Sequence, residues 1–512
     1  MSAPPRITLR LTPDKAILWE QHILESLPPE ATHHRLVRRS IDARHGRVHL
    51  QYTVEYSCGN ALPLLAAPPP PPVRAKGHRA VVVGAGPAGL MAAYALVHAG
   101  VTPIVLDRGS DFPIRHLHVR SLRRRGEMLG APALTCGLGG AGTYSDGKLM
   151  TRRSNPSTRQ ALALLAWFGK DPGLVVESHP HVGSNKLPGL VESLRRYLEE
   201  HGAHFYFNTT VTGLATSGGR VVGADINTGE TVAGEAVVLA AGNSARTLLA
   251  KLHEAGVAME ARPFAMGVRV EHLREWVDHA QYGADAGHSM LGAARYAFAF
   301  SDGPRAVYSF CMCPGGHLLP TPPEAGHLAV NGMSFAKRSG RWSNAALVAA
   351  TTPQDWAALD GSALGGIALQ RAIESKAFAV AGSYHAPAQR LPDFLAGRAS
   401  ATLPESSYRP GLVSCRVDQL LPETIVDALR TGFARAEQKM RGYIQEEALV
   451  VAPETLTSTP IRILRNDLLQ SRSHPGLFPC GEGSGWAGGI TSSAADGLRA
   501  GELAAGWISG SF

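Results

Sequence analysis

Cysteine is scarce, six residues in 512. That is no disulfide framework, so reduced thiols and a cytoplasmic protein are expected. Aromatic residues make up only 6%, and the basic runs Arg120–Arg125 and Arg35–Arg39 carry none between them. Stacking platforms for bases are therefore absent, and nucleic acid is not an expected partner. Charged residues are 18% and the net charge is +8, mild for this length and compatible with an anionic ligand. No apolar run approaches the roughly 18 residues that a membrane span needs. The opening Met1–Arg6 lacks the apolar stretch of a signal peptide. Motifs of the G-x-S-x-G, H-E-x-x-H and Walker A kinds are missing, which removes support for hydrolase, zinc-protease and NTPase chemistry. No metal-ligand set is recognised.

Glycine is in excess, with 56 residues, about 11% against a usual ~7%. The excess is clustered. Residues 79–84 form an apolar strand that runs into Gly84-Ala85-Gly86-Pro87-Ala88-Gly89, followed by a small-residue helix to about Ala99. A second apolar strand, Thr102–Leu106, leads to Asp107. A lone G-x-G-x-x-G is weak, but this one has a strand before it, a helix after it and an acid about 20 residues on. Gly84 permits a tight turn, Gly86 lets backbone approach a pyrophosphate, and Gly89 lets helix pack on strand. The N-terminus of the helix that Pro87 and Ala88 open offers the unpaired N–H groups of its first turn, Pro87 itself having none, to phosphates. Asp107 is expected to accept ribose hydroxyls. We place Arg108, Val211, Ala240 and Gly242 in the same dinucleotide site.

A second cluster lies at the other end of the chain. Leu477–Gly483 reads as a strand ending in Glu482, and Gly488-Gly489-Ile490-Thr491 opens a helix expected over Ala494 to about Gly506. A late strand–acid–loop–helix paired with an early dinucleotide fingerprint indicates FAD. Gly481 and Glu482 would take the ribityl and phosphate end. The helix N-terminus at Gly488–Thr491 would face the flavin and stabilise its reduced anion. No second strand-anchored fingerprint exists, so no separate NAD(P)H domain is expected. NAD(P)H would enter only as a transient reductant.

Five segments follow. Residues 1–62 form a small β-α-β-β unit, with a helix from Asp14 to Leu27 whose inner face carries Ile17, Leu18, Ile23, Leu24 and Leu27. Residues 63–76 are a linker stiffened by five prolines at 68–72. Residues 77–260 begin an FAD-binding domain, 261–450 form a substrate or cap domain, and 451–512 return to the FAD domain. The fold class is α/β: a Rossmann-like, three-layer FAD domain with an inserted mixed α+β domain and the small N-terminal α+β unit. The middle of the chain, about 261–420, shows no clean period. A helix is expected over 422–445, with Ile425, Leu429, Phe433, Met440 and Ile444 inward.

Four stretches carry a family resemblance: Gly139–Leu149, Pro263–His272, Cys311–Gly316 with Val330–Ser334, and Gly481–Ile490. On these the chain resembles a bacterial family of largely uncharacterised FAD-dependent dehydrogenases, related to the glutathione-reductase-type flavoproteins. The likeness spans about 79–505. It implies FAD and a redox role, and supplies no substrate. It also implies that Gly139, Gly140, Ala141, Gly142, Thr143 and Asp146 lie along the flavin, with Lys148 near flavin N5 or a substrate oxyanion. Asp107 stands where Glu is more usual, and Asn243 and Leu456 where His and Arg are expected, which suggests a specialised, biosynthetic member.

Further catalytic candidates are Arg269, Glu271 and His317. On a strand Arg269 and Glu271 share a face, as a substrate carboxylate anchor or as a structural ion pair. His317 follows the Pro314–Gly316 turn and is a candidate proton donor, against the bland alternative of one bystander among 21 histidines. Cys311 and Cys313 place two sulfurs on one strand face. Their spacing is tighter than that of most flavin-coupled pairs, so buried thiols are expected. The expected activity is an FAD-dependent oxidoreductase, dehydrogenase or oxidase in type, that moves a hydride between a small organic substrate and flavin N5. Oxygen or an electron carrier would complete the cycle. The alternatives are a flavoprotein monooxygenase, a double-bond reductase, or an FAD-containing module for nucleic-acid or protein partners with the N-terminal unit as recognition arm.

Overall fold

The valine-rich run Arg79–Val83 is the structural centre of the nucleotide end of the molecule. In the computed structural model, which describes residues 4–150 and 155–511, it lies in a five-stranded sheet. Its order is Leu477–Pro479, Ala236–Leu239, Arg79–Val83, Thr102–Leu106, His204–Tyr206, all parallel. Alternate residues serve opposite layers. Ala80, Val82, Val105 and Val238 pack under the helices Pro87–His98, Leu187–Glu200 and Ile490–Ile508. Val81, Val83, Leu106 and Val237 pack against the antiparallel meander Val211–Ser217, Arg220–Ile226, Thr231–Ala233. Both faces are covered, so the strands read as unbroken apolar runs rather than alternating ones.

The two helices that frame the site touch each other through small residues. A side chain on Gly497 would fall 2.0 Å from the Ala88 carbonyl oxygen, and one on Gly501 would fall 2.5 Å from that of Ala92. Backbone-to-backbone contact of this kind brings the first and last helices of the FAD domain side by side. Their N-termini therefore open on one region.

The patternless middle of the chain folds into a seven-stranded sheet. Its order is Ala299–Phe300, Val307–Cys313, Trp342–Ala350, Ala265–Leu273, Leu449–Glu454, Ala386–Arg390, Leu412–Ser414. All neighbours are antiparallel except the last pair. Ala265–Leu273 is buried at every position but its last, which is why no period-2 signal survives there. The helix Glu423–Lys439 packs on one face. It ends at Lys439, six residues short of the sequence expectation of 445, and Met440 and Ile444 are brought inward by the turn that follows.

A short antiparallel neck, Met259–Ala261 against Ile461–Ile463, joins the two bodies. Leu449–Glu454 is an inner strand of the seven-stranded sheet, which therefore extends past residue 450. The final helix also differs from expectation, starting at Ile490 and running to Ile508.

The N-terminal unit has the expected strands, Arg6–Leu11, His33–Asp42 and His49–Ser57. Its helical part breaks into a 3-10 turn, Lys15–Leu18, and a helix, Trp19–Ser26. Ile23 is buried, whereas Ile17, Leu18 and Leu24 are exposed, so the proposed inner face is wrong at three positions. The unit is no free arm. Leu50, Tyr52 and Val54 share one continuous core with the cap, and Arg39 pairs with Glu177 of the FAD domain at 2.7 Å.

Candidate functional site

One cavity of about 450 Å³ runs from the nucleotide turn to the cap sheet. At one end it is walled by Gly84, Gly86, Pro87, Ala88, Asp107 and Arg108. Gly140, Ala141, Gly142, Asp146 and Lys148 form a side. Val211, Ala240 and Gly242 line the meander side, and Glu482, Gly488, Gly489 and Ile490 the far end. The two remote glycine clusters thus face a single space.

The walls suit an anionic dinucleotide. Gly86 caps the helix Pro87–His98 and Gly489 caps the helix Ile490–Ile508, neither with a capping side chain. Their first N–H groups are left for a ligand. A Cβ built on Gly86 meets nothing closer than Gly140 Cα at 3.8 Å, and one on Gly488 meets nothing within 4 Å. That empty space is bare backbone facing the cavity. Gly84 plays another part: its φ is +104°, and a Cβ there would sit 2.4 Å from the Ala240 oxygen. Asp107 Oδ1 accepts the N–H groups of Gly109 and Gly137, and Oδ2 that of Ala85, each at 2.8 Å. A lone pair on Oδ2 remains for a ribose hydroxyl. Arg108 lines the wall while donating to Ser244 at 3.0 Å.

Five expected cofactor residues lie behind this wall. Gly89 serves the strand–helix contact, where a Cβ would fall 1.8 Å from the Gly84 oxygen. Gly139 and Thr143 border a separate apolar recess with Leu190 and Val191. Gly481 donates its N–H to Asp496 at 2.8 Å. Thr491 donates to the Leu149 carbonyl at 2.7 Å, tying the last helix to the loop that carries Lys148. The loop itself is shaped by Arg115, fully buried, which donates to the carbonyls of Ala133, Leu138 and Gly140. Nothing in the basic helix sequence distinguished Arg115 from its solvated neighbours.

Three catalytic candidates are displaced. Arg269 does not pair with Glu271. It is fully buried behind the cavity, bound to Glu454 Oε2 at 2.8 Å and to the Cys311 carbonyl at 2.8 Å, and it also donates to Asn331. Cys311 and Asn331 themselves line the cavity, so Arg269 holds the wall from outside. Glu271 accepts from Ser406 and from the Ser407 amide and hydroxyl, away from the cavity, because alternation along the strand does not fix which neighbours a face meets. His317 lies two residues back along its strand from the cavity residue Leu319, roughly 7 Å. It packs on Phe335, and burial with Arg123 and Arg409 nearby lowers its pKa, which disfavours a charged donor.

Glu271 yields a pH prediction. Burial raises its carboxyl from 4.5 to about 7, against the downward pull of Ser406 and Ser407. The folded chain therefore holds this proton more tightly than the unfolded one. The contribution is complete below about 4.5 and is lost as pH rises through about 7. Glu271→Gln is expected to keep its FAD and to show a flatter fall of Tm between about pH 5 and pH 8 than the parent. Lost turnover with an unchanged Tm profile would instead make Glu271 a substrate-binding group.

Of the catalytic candidates only Lys148 faces the cavity. Its ammonium is 3.6 Å from Asp146 Oδ2. Burial raises the Asp146 carboxyl, but Lys148 and Arg338 outweigh it and hold the group below its ordinary range. Arg338 bonds Asp146 at 2.6 and 3.2 Å. Nζ of Lys148 also lies 3.7 Å from Cys311 Sγ and 3.9 Å from Cys313 Sγ. At the other end Glu482 accepts from Asn243 at 3.0 Å, and burial raises its carboxyl to about 7. Asp107, Asn243 and Leu456, the three departures from the family pattern, all line the cavity. Asn331, Tyr144 and Arg338 carried no signal of their own in the sequence, although Asn331 and Tyr144 lie in stretches that the resemblance marks.

Family comparisons agree with this geometry. Residues 78–122 match an FAD binding domain, 184–318 an FAD dependent oxidoreductase, and 263–457 a C-terminal domain of FAD-dependent proteins. Residues 4–57 match a domain of unknown function. An uncharacterized protein of Clostridium beijerinckii is 38% identical over 429 residues, 83% of this chain and 80% of that one.

The chain belongs to the FAD-dependent oxidoreductase family.

It is an enzyme and its cofactor is FAD. Among solved structures this flavoenzyme is similar to glycine oxidase from Bacillus cereus, at 11% identity, 85% and 96% coverage of the two chains and a TM-score of 0.35. It is also similar to a 3-ketosteroid dehydrogenase from Rhodococcus jostii, at 13%, 84%, 99% and 0.35. A third is the amino acid oxidase NikD, at 12%, 83%, 94% and 0.36. At these scores they carry no argument about the flavoenzyme's substrate.

Proposed function

We propose that this flavoenzyme moves a hydride between a small organic substrate, held on the cap side of the cavity, and N5 of the flavin. One observation carries the reading. The cavity bounded by the two glycine clusters continues without interruption to Phe310 and Cys311 of the cap sheet and to Leu319 and Asn331 of the hairpin His317–Pro320, Val330–Met333. FAD, when bound, supplies a two-electron acceptor. Gly86, Pro87 and Ala88 present bare backbone to its pyrophosphate, and Asp107 accepts a ribose hydroxyl. The N-terminus at Gly489 and Ile490 brings partial positive charge to the flavin end. Phe310, Leu319 and Leu456 exclude water from the substrate side. Lys148 holds positive charge where substrate and flavin would meet.

The kinship with glutathione-reductase-type flavoproteins is part of this reading. It is supported by the parallel sheet with helices on one face and a meander on the other. We read the segments 77–261 and 461–512 as the FAD domain and 262–460 as the cap. The N-terminal unit belongs to the enzyme body rather than to a recognition arm, since its core is continuous with the cap. A cytoplasmic location is supported by the unpaired state of all six cysteines. No described helix is long and apolar enough to cross a membrane.

The test is anaerobic. Purified enzyme is mixed in turn with amino acids, hydroxy acids, amines and alcohols, and the visible flavin absorbance is followed. Bleaching by one class is expected. Bleaching by none, with reoxidation of the dithionite-reduced enzyme by an activated alkene, would overturn the oxidative direction in favour of double-bond reduction.

A further inference from the structure

The cap strand Val307–Cys313 breaks register between Phe310 and Cys313, and Cys311 sits at the break with φ +45°. Such a bulge bends a strand and re-aims its side chains. Cys311 is turned to the cavity wall, beside Lys148. Cys313 is fully buried behind it. In a regular strand the two Cα atoms would stand roughly 6.7 Å apart, at the outer limit of disulfide reach, about 4.4–6.8 Å. Here the Cys313 thiol reaches back to the Cys311 carbonyl oxygen at 3.2 Å. Arg269 clamps that same carbonyl at 2.8 Å. Both sulfurs lie within 4 Å of one ammonium.

Lys148 offers a counter-charge to a thiolate beside it. Asp146 is shared by two cations, Arg338 and Lys148. Arg269 and Glu454 neutralise each other. Lys148 is therefore left with positive charge at a partly enclosed wall, which a sulfur anion at Cys311 compensates. In keeping with that balance, the Cys313 thiol hydrogen bond, Lys148 and Arg269 draw the Cys311 thiol well below its ordinary range despite burial, and Cys313 stays protonated.

We propose that Cys311 and Cys313 are a dithiol–disulfide couple that exchanges two electrons with the FAD, Cys311 as thiolate and Cys313 as the second thiol. The proposal rests on the reading that this cavity holds FAD. In the oxidising direction the Cys311 thiolate and the Cys313 thiol form one S–S bond. Two electrons and the Cys313 proton pass to oxidised FAD, which becomes its reduced monoanion. One negative charge and one proton appear on each side. Lys148 faces an anion before the step, the thiolate, and an anion after it, the reduced flavin. The reverse step regenerates the dithiol.

Holoenzyme is titrated anaerobically with dithionite from the fully oxidised state. Uptake of four electrons per FAD is expected for the parent, and of two for Cys313→Ser and for Cys311→Ser. Cysteine labelling under denaturing conditions needs no variant. Six labels are expected from the reduced enzyme, which has six unpaired cysteines, and four from the oxidised enzyme. In the cofactor-free protein, Lys148→Met is expected to raise the pH midpoint of Cys311 alkylation, an effect that a bystander thiol would not show. Two electrons per FAD in the parent, with six labels in both states, overturns the couple while leaving FAD binding intact. A protein that binds no FAD would instead overturn the reading of the cavity, visible as missing flavin absorbance before any titration.

Discussion

Gly86→Val should produce a folded protein that purifies colourless. Gly86 has φ −77° and ψ −177°, backbone that any residue adopts, and its Cβ would meet only Gly140 Cα at 3.8 Å. The substitution thus costs the chain little beyond a poorer helix cap, about 1 kcal/mol. The added methyls enter the space that a pyrophosphate would fill and block the N–H groups of the helix Pro87–His98. Overpacking of this kind costs roughly 1–3 kcal/mol, and the lost phosphate contacts add to it, so FAD affinity should fall about 100-fold or more. The check is a titration of apoprotein with FAD, with circular dichroism as the control for folding. Full flavin content in the variant would move the site elsewhere. Gly84→Ala is the contrast. It should fail by misfolding, because it needs a left-handed residue and collides with Ala240.

The second large effect is expected at Arg269. Its guanidinium is fully buried and bound to Glu454, Asn344, Asn331 and the Cys311 carbonyl. Arg269→Leu leaves Glu454 buried without its cation. Breaking a buried pair from one side costs about 3–5 kcal/mol. Burial already raises the Glu454 carboxyl to about 7 with Arg269 present, and without the cation it is expected to take up a proton on folding. The loss should therefore grow as pH rises above about 7. Denaturant unfolding at two pH values measures it. The double variant Arg269→Leu with Glu454→Leu should recover much of the loss, because replacing both partners of a buried pair by apolar groups is often neutral. No recovery would mean that Arg269 matters through Asn331 and Cys311, the two residues it presents to the cavity.

Glu271 and Arg269 show where reading residues in a line stops. Two positions apart on a strand, they do share a face. Which partners that face meets depends on Leu449–Glu454 and on the 406–407 turn, more than 130 residues later in the chain. Glu454 and Ser407 reach them only through sheet order. His317 fails similarly. A turn beside a marked stretch put it near the site, and the hairpin register placed Leu319 and Asn331 at the wall instead. Cys311 is the converse. Strand spacing made it a buried thiol, and a register break that only the folded sheet contains turned it toward Lys148.

The nucleotide half was legible because its physics is local. A buried parallel strand, a glycine turn, a Pro at the first helical position and an acid on the next strand are contiguous, and each is set by neighbours a few residues away. By itself the amino-acid order determined the strand–turn–helix at Gly84–Gly89, the strand–loop–helix at the tail, and through them FAD. The expectation that the two glycine clusters serve one cofactor was likewise legible; tertiary structure alone decided that Leu449–Glu454 lies inside the cap and which charges meet at Lys148. These depend on contacts between segments hundreds of residues apart. Their partners are chosen by packing and by sheet order, which no local pattern encodes.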